Sequence, residues 1–195
     1  MKLFAIGAVA LATLTASTAI AQTAGPSNPG PAIPGVCVYY NQRLMAQSTA
    51  GQAVQTRMEQ LAQEVQGELT PYGAAIQTEI QALQAGQATI PADQMASRRQ
   101  ALQQRIQEAQ QLEQTRENEL RYTLAEQRRL ISTAAEPILV QVYQERGCGL
   151  LLDRESVFIM NPAMDITDVV IQRLNTALPT LSFNRLPVPV EATQQ

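Results

Sequence analysis

The chain has 195 residues, a formal net charge of −3, 4% aromatic residues and neither His nor Trp. Without His, the common neutral-pH general base and the commonest metal ligand are both missing, and no cofactor is expected. The only lysine is Lys2, so every later basic residue is an Arg, and the acidic balance excludes the strongly basic surface that nucleic acid requires.

The first element reads as an address. Lys2 precedes an apolar, small-residue run from Leu3 to Ala21 that closes on Ala19-Ile20-Ala21. This is the pattern of a secretory signal peptide over residues 1–21, cut after Ala21, which in a Gram-negative cell delivers the protein to the periplasm. A membrane anchor is the other reading, and the Thr and Ser interruptions argue against it. No later stretch approaches the roughly 20 apolar residues that span a bilayer. Residues 22–35 are rich in Pro, Gly, Ser and Ala and read as a flexible leader. Val36 to Tyr40 follows as a short β-favouring strand. Helical character begins at Gln42 to Ala46, Ser48 to Gly51 is a local weak point, and Ala53 starts a striped arm.

Residues 46–146 predict two long antiparallel helices. Val54, Met58, Leu61, Val65, Leu69, Tyr72, Ile76, Ile80 and Leu83 repeat every eleven residues. Eleven residues over three turns is about 3.67 per turn, so the stripe stays nearly straight and needs one partner helix. Pro71 interrupts the run, at a cost of about 3 kcal/mol in a helix interior. Gly67 and Gly73 flank it, and the stripe continues in phase beyond, which predicts one kinked helix. The kink is either tolerated without consequence or a hinge that lets the outer arm splay. Gly86 and Pro91 turn the chain. A second helix from Ala92 to Arg146 returns it through Met95, Leu102, Ile106, Ala109, Leu120, Leu124, Ile131, Ile138 and Val142. At 1.5 Å per residue, about 40 residues from tip to base is roughly 60 Å, so the hairpin must protrude. Pro137 marks a second bend near the base.

Gly147 to Gly149 ends the helix. Leu150 to Asp153 and Val157 to Met160 read as strands, and Asp165 or Thr167 caps a final helix whose apolar side is Val169, Val170 and Leu174. Residues 36–45 and 147–177 therefore form a small β body. Pro179, Pro187 and Pro189 punctuate residues 178–195, which read as a flexible tail. Three short strands and a helix leave open sheet edges, and association of several subunits into a common barrel is the economical remedy.

The order of these pieces resembles the Skp (OmpH) family of periplasmic chaperones. The residues that carry the resemblance are Asn41-Gln42-Arg43, Ser48-Thr49-Ala50-Gly51, Glu136-Pro137-Ile138-Leu139, Gly149-Leu150-Leu151-Leu152-Asp153 and the run from Asp165 to Asn175. It covers about Val36 to Asn175. The resemblance implies an α+β, predominantly α fold, in which a long antiparallel helical hairpin stands on a small β body that oligomerises into a barrel. It implies a homotrimer whose arms enclose a cavity for unfolded outer-membrane proteins, held without ATP. The chain itself has no Gly-rich phosphate loop followed by Lys, so no nucleotide engine is expected. No enzymatic activity is expected either. Asp153, Asp165 and Asp168 read as strand-end and capping residues rather than as an acid–base or metal set. A structural coiled-coil adaptor of an envelope assembly is the alternative function.

One departure bears on partners. Between Ala46 and Ala135 there are eight Arg against ten Asp plus Glu, a net charge of −2. The family's familiar members carry strongly basic arms. Electrostatic capture is therefore weaker here, which places lipopolysaccharide binding in doubt. The nearest basic cluster is Arg98, Arg99 and Arg105 at the tip, read either as a client contact or as a solvated face paired with Glu. Tyr72, Met95 and Tyr122 read as arm packing, with client contact as the alternative, and no site is assigned there. Cys37 and Cys148, the only cysteines, are brought together where the hairpin returns. In an oxidising compartment a disulfide between them is the hypothesis, with two buried thiols as the alternative.

Overall fold

The computed structural model describes residues 30–189. The expected signal peptide, and the leader as far as residue 29, lie outside the described residues. The chain is helix-dominated α+β. It begins with strand β1 (Val36–Tyr39) and the short helix α1 (Asn41–Gln47), and α2 (Thr49–Ala85) and α3 (Ala92–Glu145) follow as the arm. Strand β2 (Leu150–Asp153), two single turns of 3-10 helix at Arg154–Ser156 and Pro162–Met164, and helix α4 (Thr167–Ala177) complete the base.

β1 and β2 pair in parallel, with Val36 opposite Leu150 and Tyr39 opposite Asp153. Parallel strands cannot be joined by a tight turn and need a long crossover connection. Here that crossover is the entire arm. Gly35 O accepts from both Gly149 N and Leu150 N, at 2.7 and 3.0 Å, which fixes the point where the arm returns. Cys37 and Cys148 are joined by a disulfide at that point, with a Cα–Cα distance of 5.7 Å.

The core sits beneath the arm. Leu44 of α1, Val54 of α2, Ile131 and Val142 of α3, and Val170 and Leu174 of α4 are buried in one cluster with Cys37 and Cys148. Polar side chains of the last helix tie its parts together. Thr167 Oγ1 accepts from Tyr40 N at 2.9 Å, Asp165 Oδ1 accepts from Thr167 N at 2.8 Å, and Asn175 Oδ1 accepts from Thr49 N at 2.8 Å. Arg43 reaches both Asp165 and Asp168. Asp153 Oδ1 accepts from Glu155 N at the start of the 3-10 turn, so all three aspartates have structural partners.

The structure departs from sequence expectation at four places. The arm helix begins at Thr49, not Ala53, because buried Ser48 caps it by accepting from Gly51 N at 3.1 Å. Gly51 permits the tight α1–α2 corner, since a Cβ there would lie 2.7 Å from Met45 C and nearer still to its carbonyl oxygen. Val157 to Met160 is not a strand. A strand needs a ladder partner, and among the described residues this stretch pairs with neither edge: the second edge of β1 is bridged by Asp165, and no ladder forms on the outer edge of β2. Phe158 is left 94% exposed. Ile171, absent from the expected apolar side of α4, is buried beside Val170, while Val169 is only partly covered. Finally, residues 178–189 do not stand off as a tail. They lie extended along the arm, with Leu178, Leu181 and Phe183 packed on the core cluster.

The bridge closes a loop with a sequence separation of 111. Its removal by Cys37→Ser is expected to cost about 4–5 kcal/mol in the chain-entropy model. Thiol labelling of denatured, unreduced protein should find no free cysteine; two labelled cysteines per chain would show the thiols unbridged.

Candidate functional site

The arm carries the surface available for function. α2 spans 37 residues and α3 spans 54, or about 55 and 80 Å at 1.5 Å per residue. The eleven-residue stripe does face α3, but it seals unevenly. Val54, Leu61 and Val65 are buried near the base and Leu83 near the tip. On α3 the buried positions are Met95 near the tip and Thr123, Gln127, Ile131, Ala135 and Val142 toward the base. Residues 66–82 and 96–122 stay at least partly exposed throughout. Tyr72 is 48% exposed, so it is not the sealed packing residue that its place in the stripe implies.

Pro71 lies inside α2 without interrupting it. Two open clefts flank the following turn. One of about 320 Å³ is lined by Pro71, Tyr72, Ile76, Arg105 and Glu108; the other, of about 440 Å³, includes Leu69, Gly73, Ile106 and Glu113. Gly67 and Gly73 face open space, where a Cβ would meet nothing within 4 Å. Sterics therefore do not demand glycine at either position. What the glycines supply is backbone freedom in the least buried part of the arm.

Arg–Glu pairs bridge the helices where apolar burial is thin. Arg98 forks onto Glu79 near the tip, at 2.8 and 2.9 Å. Arg116 reaches Glu68 at 2.7 Å and Glu119 at 3.0 Å in the middle. The expected tip cluster is thus divided: Arg98 is engaged across the hairpin, while the Arg105 side chain borders the Tyr72 cleft. The hydrogen bond from Arg98 holds the Glu79 carboxyl below its ordinary value of 4.5, against a smaller opposing effect of desolvation. At the base, the hydrogen bond from Arg173 lowers Glu145 in the same way.

A wider groove, about 830 Å³, lies lower on the arm. Met45, Val54, Met58, Ala62, Leu124 and Ile131 form its apolar wall, and Glu59 and Arg128 also border it. Sequence periodicity placed Met58 and Leu124 in the seam. It could not show that this flank of the seam stays open.

A helical hairpin set on a parallel two-strand clasp, with an incompletely sealed middle, is the architecture of a binding scaffold. The OmpH family model, described as outer membrane protein (OmpH-like), matches residues 35–174, and the chain belongs to that family. A solved structure from Caulobacter crescentus CB15, named as an OmpH-like outer membrane chaperone, is similar to it at 36% identity. That alignment covers 82% of this chain and 94% of the other, with a TM-score of 0.75. No curated protein matches the chain.

Two outcomes test the arm. Gly67→Ala and Gly73→Ala are each expected to stabilise it by up to about 1 kcal/mol through helix propensity, with no steric cost. If Gly67–Gly73 is a working hinge, the double variant should lose client capture while its melting temperature rises. Glu79 has a depressed folded-state pKa, so its stabilisation is present above the ordinary 4.5 and lost as pH falls through the lower folded value. Hydrogen-exchange protection factors at the tip, corrected for the intrinsic exchange rate at each pH, should therefore fall on acidification, and Glu79→Gln should remove that acid-sensitive part.

Proposed function

We propose that the chain is an ATP-independent holdase of the periplasm, which keeps unfolded outer-membrane proteins soluble between helical arms until they are delivered to the outer membrane. Family membership supports a chaperone role, and the protein from Caulobacter crescentus carries that name. The single observation that carries the reading further is the arm's open middle. From residue 66 to 82 and from 96 to 122 every position keeps some exposure, and aliphatic, Ala and Gln surface alternates with paired charges. Such a surface offers many weak contacts to a chain without fixed shape. Confinement among several arms raises their joint effect through effective concentration.

The reading includes a homotrimer. The exposed Phe158, Ile159 and Leu150 on the base supply apolar area and a free β2 edge for subunit contact. Export by a signal peptide cut after Ala21 delivers the protein to its clients. The arm's slightly acidic balance disfavours electrostatic attraction for anionic lipopolysaccharide, which is left out of the reading. Arg99 and Arg105 are the tip residues proposed to meet clients, because Arg98 is committed to Glu79.

Urea-unfolded outer-membrane barrel protein, diluted into buffer without nucleotide, should stay clear at stoichiometric chaperone and scatter light without it. Arg99→Glu should weaken capture modestly and reduce its salt dependence. Unchanged aggregation at a molar excess of the chain would reject the holdase and favour the structural adaptor.

A further inference from the structure

We propose that one flank of the arm is a binding groove for extended polypeptide, and that residues 178–189 of the same chain occupy it as a displaceable ligand. The occupant is part of the same chain. Residues 178–189 run outward from α4 in extended form, between α2 and α3. Their side chains alternate: Leu181, Phe183 and Arg185 face the arm and are part-covered, while Ser182 and Asn184 are exposed. That period of two is how an extended peptide reads a surface.

Two kinds of contact hold it. The first recognises backbone and so needs no particular sequence. Arg57 Nε donates to Phe183 O at 3.1 Å, and Thr123 Oγ1 accepts from Leu186 N at 2.8 Å while donating to Glu119 O at 2.7 Å. The second is selective. Arg185 reaches Glu68 at 2.8 Å and Glu119 at 2.9 Å, one carboxylate from each helix. Arg57, Glu64 and Glu68 recur at seven and eleven residues, on one face of α2, and the groove lined by Gln55, Met58 and Ala62 is on the opposite side of the seam. The fit is incomplete. Arg185 Nη1 and Gln127 Oε1 are buried without hydrogen-bond partners among the described residues. A ligand that leaves buried polar atoms bare can be exchanged for one that does not.

The groove therefore takes extended segments with alternating apolar side chains and one Arg, and the chain's own segment competes with them. The peptide-binding part stands independently of the holdase reading; only the consequence for client capture rests on it.

The test uses the full chain, its Arg185→Glu variant, and a fluorescent synthetic peptide of the sequence Leu178 to Val190. Arg185→Glu sets a carboxylate against Glu68 and Glu119, and should release the segment to protease while the core stays folded by circular dichroism. The peptide should then bind the variant about tenfold more tightly than the unmodified chain, and an Arg185→Glu peptide should not compete. A chain ending at Ala177 provides the second measurement and should bind the peptide as the variant does. If neither altered chain binds the peptide while both remain folded, the segment is a fixed strap and the proposal is overturned. Client aggregation measured on the same proteins separates the two readings: peptide binding without client protection retains the groove and rejects the holdase.

Discussion

Everything in this protein depends on closing one parallel strand pair. β1 and β2 lie side by side in the same direction, yet residues 40–149 separate them. A parallel pair pays the entropy of its crossover before its few ladder bonds form. The two strands are only four residues each and could not hold such a loop alone. The Cys37–Cys148 bridge, the Gly35 carbonyl with its two donors and the α4 contacts share that task. The disulfide ties the ends of the crossover directly beside the sheet. The arm can then be long and thinly packed, because its two roots are held in register from below.

The arm is packed in the order that leverage requires. Near its roots Val54, Leu61 and Ile131 are buried. Near the tip Leu83 and Met95 close it. Between these ends apolar burial is only partial, and Arg–Glu bridges supplement it. Exposed ion pairs are worth little individually, of the order of 0–1 kcal/mol. They fix register without making the surface rigid, and they leave Tyr72 and its neighbouring clefts open. Burial is concentrated at the two ends of the hairpin, and its middle is left more open.

The base and the strap along the arm show polar atoms doing the positioning. Asp165, Thr167 and Asn175 each bind backbone or Arg of a different element, which locates α4 under the arm. Arg185 performs the same service higher up by joining carboxylates of α2 and α3. Its hydrogen bond lowers the Glu68 carboxyl, an effect larger than the opposing desolvation or the contribution of Arg116. Glu68 of α2 and Glu119 of α3 are thus shared by two guanidiniums, Arg116 of α3 and Arg185 from the far end of the chain.

The sequence by itself determined the hairpin, the phase of its apolar stripe, the turn between Gly86 and Pro91 and the final helix that follows Asp165. Each of these is local, set by side-chain periodicity or by a capping residue a few positions away. The short motifs of the base also sufficed to indicate the family. Only the tertiary structure decided which stripe residues are covered, because burial of Tyr72 depends on how closely α3 approaches. It alone decided that Val157 to Met160 has no ladder partner among the described residues, since strand formation needs a neighbour that composition cannot reveal. The docked segment at residues 178–189 was hidden behind its prolines, which read as punctuation. Its signal was the alternation of Leu181, Phe183 and Arg185, legible only once Glu68 and Glu119, distant in sequence, stand on adjacent helices.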